Sequence, residues 1–530
     1  MQPKSRLVVR QRRAPWLGLA LLLGACQAPP LPVGEIGLVA GFAGGVVAAE
    51  PVATLAAQNA LRNGGAAADA AVMLYFALAV TYPIGASLGG GGVCIVHDSL
   101  TGVVDTIEFL PRRAEAGGPI AVPASVRGMA ALHARYGRLP WELLLHPAVG
   151  LARDGFPVSR ALAQALAAVA PEDWADATLR ARFTDGGGNP LREGNKLTQI
   201  ELGAIISQMA RRGAGDFYVG ITAQRVRDDI VEAGGRVSSE DLRAYRPQWR
   251  DAASLHLGDL VFYTVPSPPI GGVLTAQMWA MFVDDGRLRS TDAEEWPHLT
   301  AEISARAFAD LAAPMDVNKP SVFRAHALMN DYEPDRHRPP VSGGRPPPVA
   351  GTAAPHTASF VVADRAGSVV GCSLTTNGPF AEARMTLLTG LVLAPPVDPT
   401  GASDYFGPLV VVGAERGDVR YAAAAGGGPS APAAMAQTGQ FAIYEKVSLA
   451  AALAAPRLLH PGAPDLVLYE ADLSQAAIRA LTRRGHQVSA SESLGRVNAI
   501  LCPGGLARES ESCAFRADPR GHGLGVGGLQ

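Results

Sequence analysis

Thr357 stands where a stretch that cannot fold regularly gives way to one patterned as a strand. Upstream run Arg338-Pro339-Pro340-Val341-Ser342-Gly343-Gly344-Arg345-Pro346-Pro347-Pro348 and on to Pro355, a density of proline and glycine that denies both helix and ladder. A cut before Thr357 would leave an α-amine able to act as base for the residue's own hydroxyl, which is one way to activate a weak nucleophile. A threonine that simply opens a strand fits the same residues. His356, directly before that bond, could assist the cut or be a linker bystander. The turn Asp364-Arg365-Ala366-Gly367-Ser368 predicts a hairpin, and pairing centred on Ala366 predicts Thr357 opposite Thr375, within reach of a hydroxyl–hydroxyl hydrogen bond. Asn377, two residues further, is expected on the same face as Thr375. Gly427 and Gly428, in the run Ala424 to Ser430, could aim backbone N–H groups at a developing oxyanion; a tight turn is the plainer reading, and the register among Gly426, Gly427 and Gly428 is open.

Elements that must position these groups follow from pattern. Pro51 to Leu61 reads as an Ala-rich helix stopped by Gly64-Gly65. Ala66 to Val80 is apolar nearly all round and reads as a buried helix. Gly89 to Gly92 lead into the strand Val93 to Asp98, where four glycines imply close backbone approach or a tight bend; a turn near Thr101-Gly102 returns to Phe109. Residues 124–320 read as mainly helical, with one strand around Leu255 to Val265. The segment His298 to Ala312 carries Glu302 and Asp310, expected on a solvated face. After Thr357 come strands at Leu409 to Val412 and Tyr421 to Ala425, and helices at Ala431 to Tyr444, Leu449 to Leu458 and Leu473 to Arg484.

Composition bounds the function. The 530 residues carry a net charge of −2, which leaves no electrostatic footprint for nucleic acid. The hydrophobic fraction of 48% is ample for a large core. Residues 1–26 read as a targeting segment: Lys4, Arg6, Arg10, Arg12 and Arg13 precede the apolar run Leu17 to Leu23, which is too short to span a membrane. Leu23-Gly24-Ala25-Cys26 is similar to a bacterial lipobox, so cleavage before Cys26 and lipidation of its thiol are expected, with residues 27–44 as an extended tether. An ordinary signal peptide with a chance cysteine is the alternative. The expected location is exported, periplasmic and lipid-anchored to a bacterial membrane. Cys94 and Cys372 lie in apolar strand patterns and read as core residues; Cys502 and Cys513 could close a small disulfide loop in an exported protein. There is no Cys-x-x-Cys and no clustered histidine spacing, so no metal and no cofactor is expected.

The chain resembles the γ-glutamyltransferase (γ-glutamyltranspeptidase) family of N-terminal-nucleophile hydrolases from about Gly45 onward. The likeness rests on Pro51 to Gly65 followed by Ala68-Asp69-Ala70-Ala71, on Gly89 to Gly92, on Tyr136-Gly137-Arg138-Leu139-Pro140-Trp141, on Gly155-Phe156-Pro157-Val158-Ser159 and on Pro268-Pro269-Ile270-Gly271-Gly272. In the second half it rests on Thr357, Thr375, Asn377, the glycines near 427 and Asp518-Pro519-Arg520-Gly521. The resemblance implies an α+β fold, a four-layer αββα sandwich, cut into a large fragment (45–356) and a small one (357–530) that stay together as a heterodimer. It implies Thr357 as nucleophile with its own amine as base, Thr375 orienting the hydroxyl, Asn377 holding the nucleophile end, and Gly427 and Gly428 as oxyanion donors.

Departures from the family pattern bear on the substrate. Its Thr-Thr-His start reads Thr357-Ala358-Ser359 here. The arginine that grips the substrate carboxylate should follow Glu108-Phe109, where Leu110 stands; Arg112 and Arg113 are near but shifted, and are the weak substitutes. The Asn-Asn-x-Met-Asp-Asp segment reads Ala394 to Pro399, so only Asp398 remains, and the Pro-Leu-Ser-Ser-Met run has no counterpart near Tyr405 to Val410. A bidentate arginine–carboxylate contact is among the stronger polar interactions, and leucine cannot supply it. The leading expectation is a self-cleaving, membrane-tethered γ-glutamyltransferase-like enzyme acting on a small γ-glutamyl or amide substrate through a Thr357 acyl-enzyme. An amide acylase with a non-glutamyl substrate and a retired paralogue serving as an envelope binding or scaffold protein are the alternatives.

Overall fold

Side chains that alternate along a strand must find two different apolar partners if both faces are covered, and Thr357–Asp364 does this. Ala358, Phe360 and Val362 pack with the helices outside the sheet, while Val361 and Ala363 pack inward with Val410, Val412, Ala422 and Ala424 of a second sheet. The computed structural model describes residues 41–284, 295–310, 328–330, 332–337, 357–378, 380, 384–397 and 405–527. Cys26, His356, Asp398, the leader and the proline-rich linker 338–356 lie outside them.

Among the described residues, thirteen strands build two main sheets. They are β1 Gly44–Ala48, β2 Gly91–His97, β3 Val104–Phe109, β4 Gln248–Asp251, β5 Ala253–Leu257, β6 Leu260–Thr264, β7 Thr357–Asp364, β8 Val369–Thr375, β9 Leu409–Gly413, β10 Val419–Gly426, β11 Arg496–Leu501, β12 Ala514–Arg516 and β13 Leu524–Gly527. The first sheet has the order β13-β1-β7-β8-β2-β3-β4 and the second β12-β11-β10-β9-β6-β5. Outside the first lie α1 (Pro51–Arg62) and α2 (Ala67–Thr81), all fifteen residues of α2 being buried. Outside the second lie α3 (Gly271–Asp284), α4 (Glu295–Asp310) and α5 (Ser430–Gly439), with Trp279 and Met435 packed on Tyr421, Ala423 and Ala425. Helix, sheet, sheet, helix is the αββα sandwich expected from the sequence.

The central hairpin is held by its turn. Asp364 Oδ1 accepts from the N–H of Ala366 (2.9 Å) and Ser368 (3.0 Å), and Oδ2 accepts from Ala67 at the start of α2 (3.1 Å). This fixes β7 against β8 in the predicted register, with Thr357 opposite Thr375. The glycines at the entry to β2 also have the expected cause: a β-carbon on Gly90 would lie 2.7 Å from the Thr375 carbonyl oxygen, and one on Gly91 2.3 Å from that of Phe109.

Four expectations are corrected. The single strand over Leu255 to Val265 is a hairpin, β5 and β6, reversed at Gly258, whose φ is +63°; the apolar run continued across a turn that only one glycine marks. Glu302 is not on a solvated face but fully buried in α4, because histidines distant in sequence surround it. Cys94 and Cys372 are core residues but also a disulfide, facing each other across β2 and β8. Asn377 does not continue β8: it lies past the strand end at φ +56°. The Cys502–Cys513 disulfide is present.

Candidate active site

Thr357 opens β7 and Thr375 closes β8, so both sit at one end of the inter-sheet space, on the face shared with Ser359 and Ser373. Thr375 is buried. Its Oγ1 accepts the N–H of Asn377 at 2.8 Å, which fixes the hydroxyl from the turn rather than from the strand. The Asn377 side-chain amide donates to the Pro396 carbonyl at 3.2 Å, tying that turn to the segment that carries the altered Ala394 to Pro399 pattern.

From the opposite sheet, β10 brings Gly426 against the nucleophile candidate. A β-carbon there would fall 2.3 Å from Thr357 Oγ1, so only glycine lets the two backbones approach this closely. Gly427 (φ +126°) and Gly428 (φ +58°) then turn the chain into α5. Ser430 Oγ donates to the Gly427 carbonyl at 2.7 Å and holds that turn. The positive end of the helix dipole therefore lies just beyond the glycine turn. The loop is thus both a tight turn and a glycine-lined approach to Thr357.

A small cavity opens beside Thr357, lined among others by Gly426, Tyr82, Arg496, Asn498 and Asp518. Asn498 Nδ2 donates to the carbonyl (2.8 Å) and the hydroxyl (3.0 Å) of Ser359, fixing β7 against β11. Burial raises the Tyr82 phenol, and the adjacent Arg496 charge and hydrogen bond partly offset this. Arg496 Nε has no partner among the described residues.

Asp518, from the Asp-Pro-Arg-Gly motif, forms the back wall. Its Oδ2 accepts from Arg457 Nη2 at 2.7 Å and from the Val497 N–H at 2.8 Å, and its Oδ1 from the Arg520 N–H at 3.0 Å. Burial alone would raise this carboxyl; Arg457 and Arg520 with the two backbone donors hold it below its ordinary value. Arg457 also donates to the Gly495 carbonyl at 2.9 Å, so the network anchors the start of β11. Tyr82, Arg496 and Asn498 carried no sequence signal: none lies in a motif, and only the register of β11 on β10 brings Arg496 level with Gly426.

The weak substrate-binding candidates do not reach this cavity. Arg112 and Arg113 form a separate ribbon with Ala121–Val122. Arg112 pairs with Glu108 at 3.3 Å and lies over the Tyr245 ring, and neither arginine lines the cavity at Thr357. Leu110 is buried with Val93, Val265 and Phe406, and Val397 packs against them. An apolar patch thus stands where the family resemblance places a carboxylate-binding cation.

Comparison with known proteins follows the same outline. The sequence profile of the Gamma-glutamyltranspeptidase family matches residues 53–117 and 110–527. Scoloptoxin SSD14 of Scolopendra dehaani is 29% identical over 492 residues, covering 83% of this chain and 85% of its own. The glutathione hydrolase proenzyme of Escherichia coli (strain K12) is 26% identical, covering 91% and 94%. The acylase ACY 1 proenzyme of Pseudomonas sp. (strain V22) is 29% identical, covering 87% and 90%. Among solved structures, cephalosporin acylase from Bacillus halodurans superimposes with a TM-score of 0.77 at 21% identity, covering 94% of this chain and 98% of that one, a likeness of fold.

Proposed function

The chain belongs to the gamma-glutamyltranspeptidase family, and on that premise we propose that it cuts itself before Thr357 and uses the freed residue to transfer or hydrolyse γ-glutamyl or related amide groups. The Thr357 amine takes the proton from Oγ as the oxygen attacks the substrate carbonyl. The carbon–nitrogen bond breaks, and the same proton goes to the departing amine. Water or a second amine then attacks the ester and returns the hydroxyl. Gly427 and Gly428 serve the oxyanion, Thr375 orients Oγ, and Asn377 positions Thr375 through its N–H. Relatives named as proenzymes, in E. coli and Pseudomonas, support a cut chain whose two fragments remain paired.

The observation that carries this reading is the placement of Thr357: first in its strand, level with Thr375, its hydroxyl against the backbone of Gly426. Mass spectrometry of the purified protein tests it. Two fragments with the second beginning at Thr357, and an uncut Thr357→Ala variant inactive on a γ-glutamyl anilide, are expected. One intact chain that still turns over would refute it.

A second reading, an amide acylase for an uncharged acyl chain, is favoured by Leu110 in its apolar cluster and by Arg112 being engaged with Glu108. It predicts faster turnover of a neutral acyl anilide than of the γ-glutamyl compound; efficient glutathione turnover at ordinary concentrations would sink it. We further propose that residues 1–26 direct export and that Cys26 carries the lipid, so Cys26→Ala should abolish incorporation of a labelled fatty acid.

A further inference from the structure

Four histidines from distant parts of the sequence meet at the inner face of α4. His298 and Glu302 lie one turn apart on that helix and so share a face. His337 follows in sequence, while His460 and His486 come from beyond Thr357. His298, Glu302 and His486 are 0%, 0% and 3% exposed. His298 Nε2 lies 2.8 Å from the Glu333 carbonyl and donates to it, so Nδ1 keeps its lone pair and faces His486 Nε2 at 2.7 Å. His486 Nε2 is 3.6 Å from Glu302 Oε1, and the three donor atoms lie within 4.8 Å of one another. Tetrahedral zinc, with bonds of about 2.0–2.2 Å, separates its ligand atoms by about 3.3–3.6 Å. The His486–Glu302 separation already meets that spacing, and the His298–His486 separation opens to it with a shift of about 0.6 Å.

Without a metal, His486 must donate from Nε2 to the bare Nδ1 of His298; a metal held by both nitrogens would take the place of that single proton. In either state the His486 Nδ1 has no partner among the described residues. The carboxylate is also aimed: His337 Nδ1 lies 2.5 Å from Glu302 Oε1, and Arg306 holds the other oxygen. Outer hydrogen bonds of this kind orient metal ligands.

We propose that His298, Glu302 and His486 form a binding site for a zinc-type divalent transition metal, with one coordination position left open. Two imidazoles and one carboxylate are a known zinc donor set. A neighbouring triad, His337, His460 and His486, is equally compact, but His337 and His460 both direct Nε2 to Asp465, at 2.7 and 3.0 Å, and His460 Nδ1 accepts the Gly462 N–H. The metal therefore belongs to the first triad. Arg306 and His337 compete with it for Glu302, so its affinity is weaker than that of a four-ligand structural site. The sequence concealed the cluster because His298 and His486 are 188 positions apart. The site does not depend on cleavage before Thr357.

The test uses the full chain without a histidine tag, stripped with chelator and then dialysed against micromolar zinc or cobalt(II). One equivalent of zinc per chain, a rise in Tm on adding it, and the intense visible bands of four-coordinate cobalt are expected. His298→Gln and His486→Gln should each lose the bound metal, while His460→Gln and the surface variant His146→Gln keep it. Failure of the parent protein to take up stoichiometric zinc, retention of zinc in both His298→Gln and His486→Gln, or loss in His460→Gln with retention in His298→Gln would each overturn the assignment. Where a variant misfolds, the cobalt spectrum of the parent decides: bands as weak as those of the aqueous ion refute the site.

Discussion

Gly426 and Thr357 belong to different sheets, yet a single β-carbon on the glycine would overlap the threonine hydroxyl, at 2.3 Å from Oγ1. Strand β10 thus sets the position of the proposed nucleophile from across the sandwich. Gly426→Ala should leave the fold intact by circular dichroism but push Oγ aside. A displacement of about 1 Å can cost about 100-fold in rate, so a loss of that order is expected in both chain cleavage and turnover, read by gel and by anilide assay. Unchanged cleavage in the variant would remove Gly426 from the site.

Thr375 answers a different question, whether the orienting hydroxyl is needed for structure as well as chemistry. Its Oγ1 accepts the Asn377 N–H at 2.8 Å, and Asn377 is held at a positive φ. Thr375→Val keeps the shape and removes the acceptor, leaving that N–H unmet at a cost of about 1–3 kcal/mol. Urea unfolding should show a loss of that size. In uncut protein the rate of cleavage should fall as well, whereas Thr375→Ser should restore most of both.

Asp518 makes stability depend on acid. Burial would raise its carboxyl, but Arg457, Arg520 and two backbone donors hold it below the unfolded value. A group depressed in this way stabilises the fold above its unfolded pKa of about 3.9 and loses that contribution as pH falls through the lower folded value. Asp518→Asn leaves Arg457, only 2% exposed, uncompensated, at about 3–5 kcal/mol near neutrality. The gap between variant and parent in urea midpoint should be widest above pH 5 and should narrow below pH 4. A gap constant with pH would mean that packing, not charge, is what the aspartate supplies.

The central hairpin was legible because its register follows from one turn: Asp364 and Gly367 close it, and counting outward gives Thr357 opposite Thr375. Helices α1 and α2 were legible from apolar pattern, and α1 also from its glycine stop at Gly64-Gly65. Strands β11 to β13 were not, since Arg496–Leu501 pairs with a strand about 75 positions earlier. The burial of Glu302 and the arrival of Arg496 beside Thr357 arise from such long-range pairing. No local period encodes them, so the motif-bearing half of the site could be read and its lining could not.

The Cys94–Cys372 disulfide bears on the proposed cut in a way that a gel can read. Cys94 lies in β2, on the large-fragment side of Thr357, and Cys372 lies in β8, on the small-fragment side. Cys502 and Cys513 both lie in the small fragment and cannot link the two. A protein cut before Thr357 should therefore migrate as one species on a denaturing gel without reductant and as two with it. Cys372→Ser should release two bands under both conditions, whereas Cys502→Ser should not. In the uncut Thr357→Ala variant reductant should change mobility only slightly, because no backbone break exists for the bond to span. If the cut protein separates into two bands without reductant, the two thiols are free in solution and the pairing of β2 with β8 rests on packing and the ladder alone.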